Sequence, residues 1–188
     1  MIETFVALPG MYQARIDGAH NVLLQQLAQE VLVILDAPEE SSAFLAAVSV
    51  EDECHAPLDP ALGYLLPEMS HDRHAAQNLR AMTEEYLRAE KSLRLRKIRS
   101  ELEYARTSCD GYVRMSYEEA WDWARALNDL RLALAGELAI NDESDVESLM
   151  QLICQSTYGK NARENAARIY CIVTWWQDSL VRVMQSPV

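Results

Sequence analysis

The run Trp121-Asp122-Trp123-Ala124-Arg125-Ala126-Leu127-Asn128-Asp129-Leu130-Arg131-Leu132-Ala133-Leu134 carries the clearest structural message in this chain. At about 100° per residue, Leu130, Trp123, Leu134, Leu127, Ala120, Ala124, Ala135, Trp121 and Leu132 share one wide helical arc. Arg131 and Asn128 fall inside that arc, whereas Asp122 and Asp129 fall outside it. A guanidinium on a buried face needs a carboxylate, because an unpaired charge away from water is costly. The expected partners of Arg131 are Glu84 or Glu85 on an earlier helix and Asp178 on the last one. Arginine can grip a carboxylate through two parallel bonds that lysine cannot reproduce. Two roles compete for Arg131 and Asn128, a recognition surface and a satisfied polar network that holds helices in register. The second is the expectation.

Before this helix, Thr4 to Leu8 and Met11 to Ile16 flank Pro9-Gly10, a strong turn pair, and predict a short N-terminal β-hairpin. Everything afterwards reads as helical. A first helix from about His20 to Asp36 carries Leu24, Leu27, Ala28, Val31 and Leu35 on one stripe, and Pro38-Glu39-Glu40 ends it. An acidic connector near 37–59 follows, and Asp59-Pro60 restarts the ordered chain. A long helix is expected from about His71 to Arg106. Its residues Ala75, Leu79, Met82, Tyr86, Ala89 and Leu93 keep the 4,3,4,3,4 spacing of a packed seam. The seam then jumps to Leu95, Ile98, Leu102 and Ala105, which predicts a bend or a change of neighbour near Leu93. Three capping boxes mark later helix starts: Ser116 with Glu119, Ser144 with Glu147, and Asn161 with Glu164. The last helix, Asn161 to about Val183, places Ala162, Ala166, Ile169, Val173, Trp176, Leu180 and Val183 on a packing stripe.

The 188 residues suit one domain, and an apolar share of 49% with 24% charged is ordinary for a globular protein. The net charge of -12 opposes attraction to nucleic acid or anionic lipid and favours partners with a basic patch. The start Met1-Ile2-Glu3-Thr4 lacks a basic segment followed by an apolar core, and no apolar stretch reaches membrane-spanning length. A cytoplasmic location is expected.

The long helix is the one basic region: nine Lys or Arg against five acids between Arg73 and Arg106 leave +4, and the rest of the chain totals -16. Arg88, Lys91, Arg94, Arg96, Lys97 and Arg99 crowd its middle. They suggest a phosphate-tracking helix or a dock for an acidic protein partner, set against a solvated face or an internal counterweight to the chain's own acids. Direct DNA binding is not expected, since no short recognition helix follows a compact turn. Cys54, His55, His71 and His74 are metal-binding residue types, but their intervals fit no zinc pattern, so neither metal nor cofactor is expected. Cys154 and Cys171 would sit about 10 Å apart along a helical hairpin, beyond the roughly 7 Å reach of a disulfide, and both should be buried. Cys54 and Cys109, placed in loops, are the redox candidates. No phosphate loop, nucleophile elbow or catalytic dyad is present. Trp121, Trp123, Trp175 and Trp176 read as core or interface aromatics rather than pocket walls.

Four blocks together resemble a known family. They are Asp59-Pro60-Ala61-Leu62 with Leu65-Leu66-Pro67, then Leu79-Arg80 with Thr83-Glu84-Glu85-Tyr86-Leu87-Arg88 and Lys91. The third is Trp121 with Arg125-Ala126-Leu127-Asn128-Asp129-Leu130-Arg131-Leu132, and the fourth is Trp175-Trp176-Gln177-Asp178-Ser179-Leu180-Val181. The chain resembles the actinobacterial AosR-like family of oxidative-stress-responsive transcriptional regulators, formerly a domain of unknown function. The resemblance implies a non-enzymatic regulator that acts on transcription through a protein partner, a sigma factor or an RNA polymerase subunit. The redox role in that family uses a closely spaced cysteine pair, and Cys54, Cys109, Cys154 and Cys171 contain none. The expected architecture is mainly α, a bundle of about five helices with a short N-terminal β-hairpin. The alternative function is a helical protein that binds a small ligand or metal, with an enzymatic activity left open. Oligomeric state is open from sequence.

Overall fold

The computed structural model describes residues 1–36, 59–108, 110–155 and 161–186. Among them the order is β1 (Val6–Leu8), β2 (Met11–Arg15), α1 (Gly18–Asp36), α2 (Pro60–Leu65), α3 (Arg73–Thr107), β3 (Tyr112–Ser116), α4 (Glu119–Leu138), α5 (Glu143–Gln155) and α6 (Ala162–Gln185). Among the described residues the fold is mainly helical, with six helices rather than about five. The expected end of α1 at Pro38 and most of the acidic connector lie outside the described residues.

Pro9-Gly10 closes the hairpin as predicted. Gly10 takes φ 81°, which glycine adopts without a Cβ clash, and Leu8 pairs with Met11. The hairpin is only part of a sheet. β3 adds to β2 as a third antiparallel strand, with Ala14 opposite Val113 and Met11 opposite Ser116. The expectation that everything after residue 16 is helical is therefore corrected. Five residues alternating inward Val113 and Met115 with outward Arg114 are too short a run to declare a strand. Pairing with a segment about a hundred positions earlier supplies the missing stabilisation.

Helix starts follow side-chain caps. The Asp59 carboxylate accepts from the Ala61 and Leu62 amides at 2.8 and 3.4 Å, with Pro60 opening α2. Ser116 and Glu119 form the predicted reciprocal box: the hydroxyl accepts from the Glu119 amide at 3.2 Å, and the carboxylate accepts from the Ser116 amide at 2.9 Å. The second box is displaced by two residues. Asp142 accepts from the Ser144 and Asp145 amides, and Asp145 accepts from the Asn141 and Asp142 amides. A carboxylate at 142 is an equally good cap, and it reaches the first turn before Ser144 can. Asn161 accepts from the Arg163 amide at 3.1 Å.

The core forms around α4, which packs against α1, α2, α3, β3 and α6. Trp123, Trp176 and Phe5 make its aromatic centre, with the two indoles edge to face at 5.8 Å between centroids. Enclosure by several elements explains where the single-arc reading of α4 fails. Asp129, outside the arc, is buried, and Trp121, inside it, is 60% exposed. Gly136 lies against the start of α2, where an added Cβ would come within 2.6 Å of the Pro60 carbonyl oxygen. In α6 the buried residues are Ala167, Tyr170, Val173, Trp176 and Leu180, while Ala166, Ile169 and Val183 of the predicted stripe pack against the core partly buried and Ala162 is exposed.

Candidate functional site

The helix α3 has a charged side and an apolar one. Its cations are held by groups of the same chain, with Lys91 and Arg94 part-buried and Arg96 more than half exposed. Arg88 Nε donates to Glu84 at 2.9 Å, and its Nη1 donates to the Leu35 carbonyl at 2.9 Å. Lys91 Nζ meets Asp129 Oδ1 at 2.5 Å, and Arg94 Nη2 lies 3.6 Å from Asp129 Oδ2. Arg96 pairs with Asp36 at 2.5 Å, and Ser92 donates to the other oxygen of the same carboxylate. Lys97 reaches Asp122 at 3.3 Å and Glu119 at 3.5 Å, and Arg99 donates to Gln29. All six cations singled out from the sequence thus have partners inside the chain. The internal counterweight describes these contacts, with carboxylates of α1 and α4 answering the excess charge of α3.

The polar network sits elsewhere than expected. Arg131 is half-buried and donates to Asn128 at 2.8 Å, one turn back on its own helix. Among the described residues no carboxylate pairs with it. Glu84 is engaged by Arg80 and Arg88, while Glu85 and Asp178 are exposed. The buried counter-ion is Asp129, two positions away. The correction has a plain cause: α3 runs along the flank of α4 that carries Asp129, so that residue faces Lys91 and Arg94. The Lys91 and Asp129 spacing carried no signal, because the two residues are 38 positions apart.

The second face of α3 is apolar and turned to solvent. Leu79, Met82, Tyr86 and Leu93 are 37%, 80%, 66% and 65% exposed, so the first half of the predicted packed seam lies on the surface. The continuation Leu95, Ile98, Leu102 and Ala105 is buried. The jump after Leu93 marks this change of neighbour within one continuous helix.

A family model described as a domain of unknown function, DUF2017, matches residues 2–184. The chain belongs to this family. No curated protein and no solved structure matches it.

Two further features of this DUF2017 protein carry polar groups. A cleft of about 370 Å³ between the start of α1 and the end of α3 is lined by Arg15, Asp17, Asn21, Arg106 and Asp110 among others. Its ionic groups are largely matched with neighbours: Asp17 with His20, Arg106 with Glu103, and Asp110 with Arg114. Behind α3, burial holds Glu101 above the usual carboxylate range, opposed by the Trp123 indole N–H and by Lys97. Glu119 is held below that range, chiefly by the Ser116 backbone N–H.

His71 and His74 are exposed on the surface, and the other two metal candidates, Cys54 and His55, lie outside the described residues. Among the described residues no group of three or more metal-binding side chains converges, and no helix is long and apolar enough to cross a membrane. Cys154 and Cys171 are free thiols, Cys154 exposed and Cys171 half-buried. The expectation that both are buried is corrected, because Cys154 lies on the outward side of α5. Cys54 and Cys109, the redox candidates, lie outside the described residues.

Proposed function

We propose that this protein is a non-enzymatic regulator that works by binding another protein, with the outward stripe of α3 as its contact face. The observation that carries this reading is the exposure of Leu79, Met82, Tyr86 and Leu93 together on one helix. A contiguous exposed apolar stripe rimmed by charged residues is a mark of a protein contact. The cations singled out on the same helix are each engaged by a group of the same chain, whereas the apolar stripe has no such cover among the described residues. The setting in stress-responsive transcription, through a sigma factor or RNA polymerase subunit, and the cytoplasmic location come from the family resemblance and the sequence.

The test is retention of purified polymerase core and sigma factors by the immobilised native chain and by the Leu79→Glu/Met82→Glu variant. Retention by the native chain and loss by the variant is the expected result. Equal retention by both removes the stripe as the contact face, and retention by neither removes the transcriptional setting.

A further inference from the structure

Helices α5 and α6 bring sulfur atoms together at the rim of their contact. The Cys171 thiol of α6 donates to the Met150 thioether of α5, with 3.8 Å between the two sulfurs. Two sulfurs bound to one metal at about 2.3 Å, at an angle of about 110–120°, stand about 3.8–4.0 Å apart, so this pair already has the spacing of ligands on a shared ion. Cys154 follows Met150 by four positions and lies one turn further along the same side of α5. Helical side chains lean toward the start of their helix, which tilts the Cys154 sulfur back toward Met150. Two ligands four positions apart on one helix face are a chelating pair, the spacing that histidines use on zinc. Cys171 supplies a third donor from the facing helix. Cys154 is exposed, Met150 is 48% exposed and Cys171 is half-buried, so an ion reaches the group without any opening of the fold.

The donor set selects the ion. Two thiols and a thioether are soft ligands, and soft ligands favour Cu(I). Zinc closes its structural sites with four ligands drawn from Cys, His and carboxylates, and among the described residues no third residue of those types joins the two cysteines. Charge is matched as well. Arg168, one turn before Cys171, donates to the Ile153 carbonyl at 3.3 Å, which brings a guanidinium to the residue beside Cys154. Burial pushes the Cys171 thiol up, and the Arg168 charge opposes that by favouring the thiolate. A monovalent ion between two thiolates carries one net negative charge, which this guanidinium offsets.

We infer that Met150, Cys154 and Cys171 form a three-coordinate site for Cu(I). Each thiol releases its proton as its sulfur binds the ion, and copper stays in the Cu(I) state throughout. The site is separate from the apolar stripe of α3 and does not depend on it.

The experiment titrates the reduced full chain, without oxygen, against Cu(I) held as its coloured bicinchoninate complex, where loss of colour counts the copper withdrawn. The native chain should withdraw copper, and the Cys54→Ser/Cys109→Ser variant should withdraw one ion per chain with the same affinity. Cys154→Ser and Cys171→Ser should each weaken binding by more than about 100-fold, beyond what loss of a ligand's supporting partner costs. Met150→Leu removes a neutral, weaker donor and should weaken it about tenfold. Circular dichroism and thermal melts show that each variant folds. A native chain that withdraws no copper, a Cys54→Ser/Cys109→Ser chain that withdraws none, or a Cys154→Ser, Cys171→Ser or Met150→Leu chain that binds as tightly as the native one would each overturn the inference.

Discussion

Replacing Asp129 removes the one carboxylate that is buried among the described residues. Its side chain is 3% exposed, and the cations it neutralises, Lys91 and Arg94, are 14% and 18% exposed. The 2.5 Å contact to Lys91 is a charge-assisted hydrogen bond, a class that contributes roughly 1.5–3 kcal/mol. Arg94 at 3.6 Å adds attraction without a hydrogen bond. Asp129→Ala deletes both and strands two cations at a largely dry helix contact, so the expected loss is about 3–5 kcal/mol. The lower end is favoured, because Arg94 keeps Glu90 at 3.8 Å and both stems are long enough to turn toward water. Asp129→Asn retains an acceptor for Lys91 and should lose about 2 kcal/mol. Arg131→Ala breaks only a bond to neutral Asn128 at a half-buried site, so about 1 kcal/mol is expected. Urea unfolding at neutral pH, compared at common slope, measures all three. An Arg131→Ala loss equal to or larger than that of Asp129→Ala would refute the assignment of Asp129 as the buried counter-ion.

Three other outcomes follow from particular contacts. Gly136→Ala should destabilise by about 1–3 kcal/mol despite alanine's better helix propensity, because its Cβ meets α2 backbone at 2.6 Å; a melt at or above the native temperature would contradict that approach. Glu119 and Glu101 should give opposite pH slopes in thermal melts. The lowered pKa of Glu119 means that its contribution is present above 4.5 and is lost as pH falls through the lower folded value, so Glu119→Gln should shrink the acid-induced loss. The raised pKa of Glu101 means that its contribution is present below 4.5 and is lost as pH rises through the higher folded value, so Glu101→Gln should flatten the decline on the alkaline side of 4.5. Iodoacetamide should label exposed Cys154 about tenfold faster than Cys171, whose thiol burial pushes up, as read by peptide mass spectrometry.

Local chemistry was legible wherever the information lay within a few residues. Pro9-Gly10 turned the chain, Asp59-Pro60 opened α2, and Ser116 with Glu119 opened α4, because turns and caps are made by groups three or four positions apart. The stripe of α1 was legible too, since that helix buries Leu24, Leu27, Ala28, Val31 and Leu35 on one side. The contents of the site were not. Spacing alone records that Leu79, Met82, Tyr86 and Leu93 form a seam, and it says nothing of whether that seam is covered by the same chain. Nor could it place Asp129 opposite Lys91, or β3 beside β2, because both depend on which segments far apart in sequence come to lie together. Helix starts, turns and the presence of apolar faces are written in the residue order, because all are short-range properties of the backbone and its nearest side chains. Which face of α3 is dry and which acid neutralises its charge follow from the folded arrangement, because burial and ion pairing are properties of neighbours, and neighbours are chosen by packing.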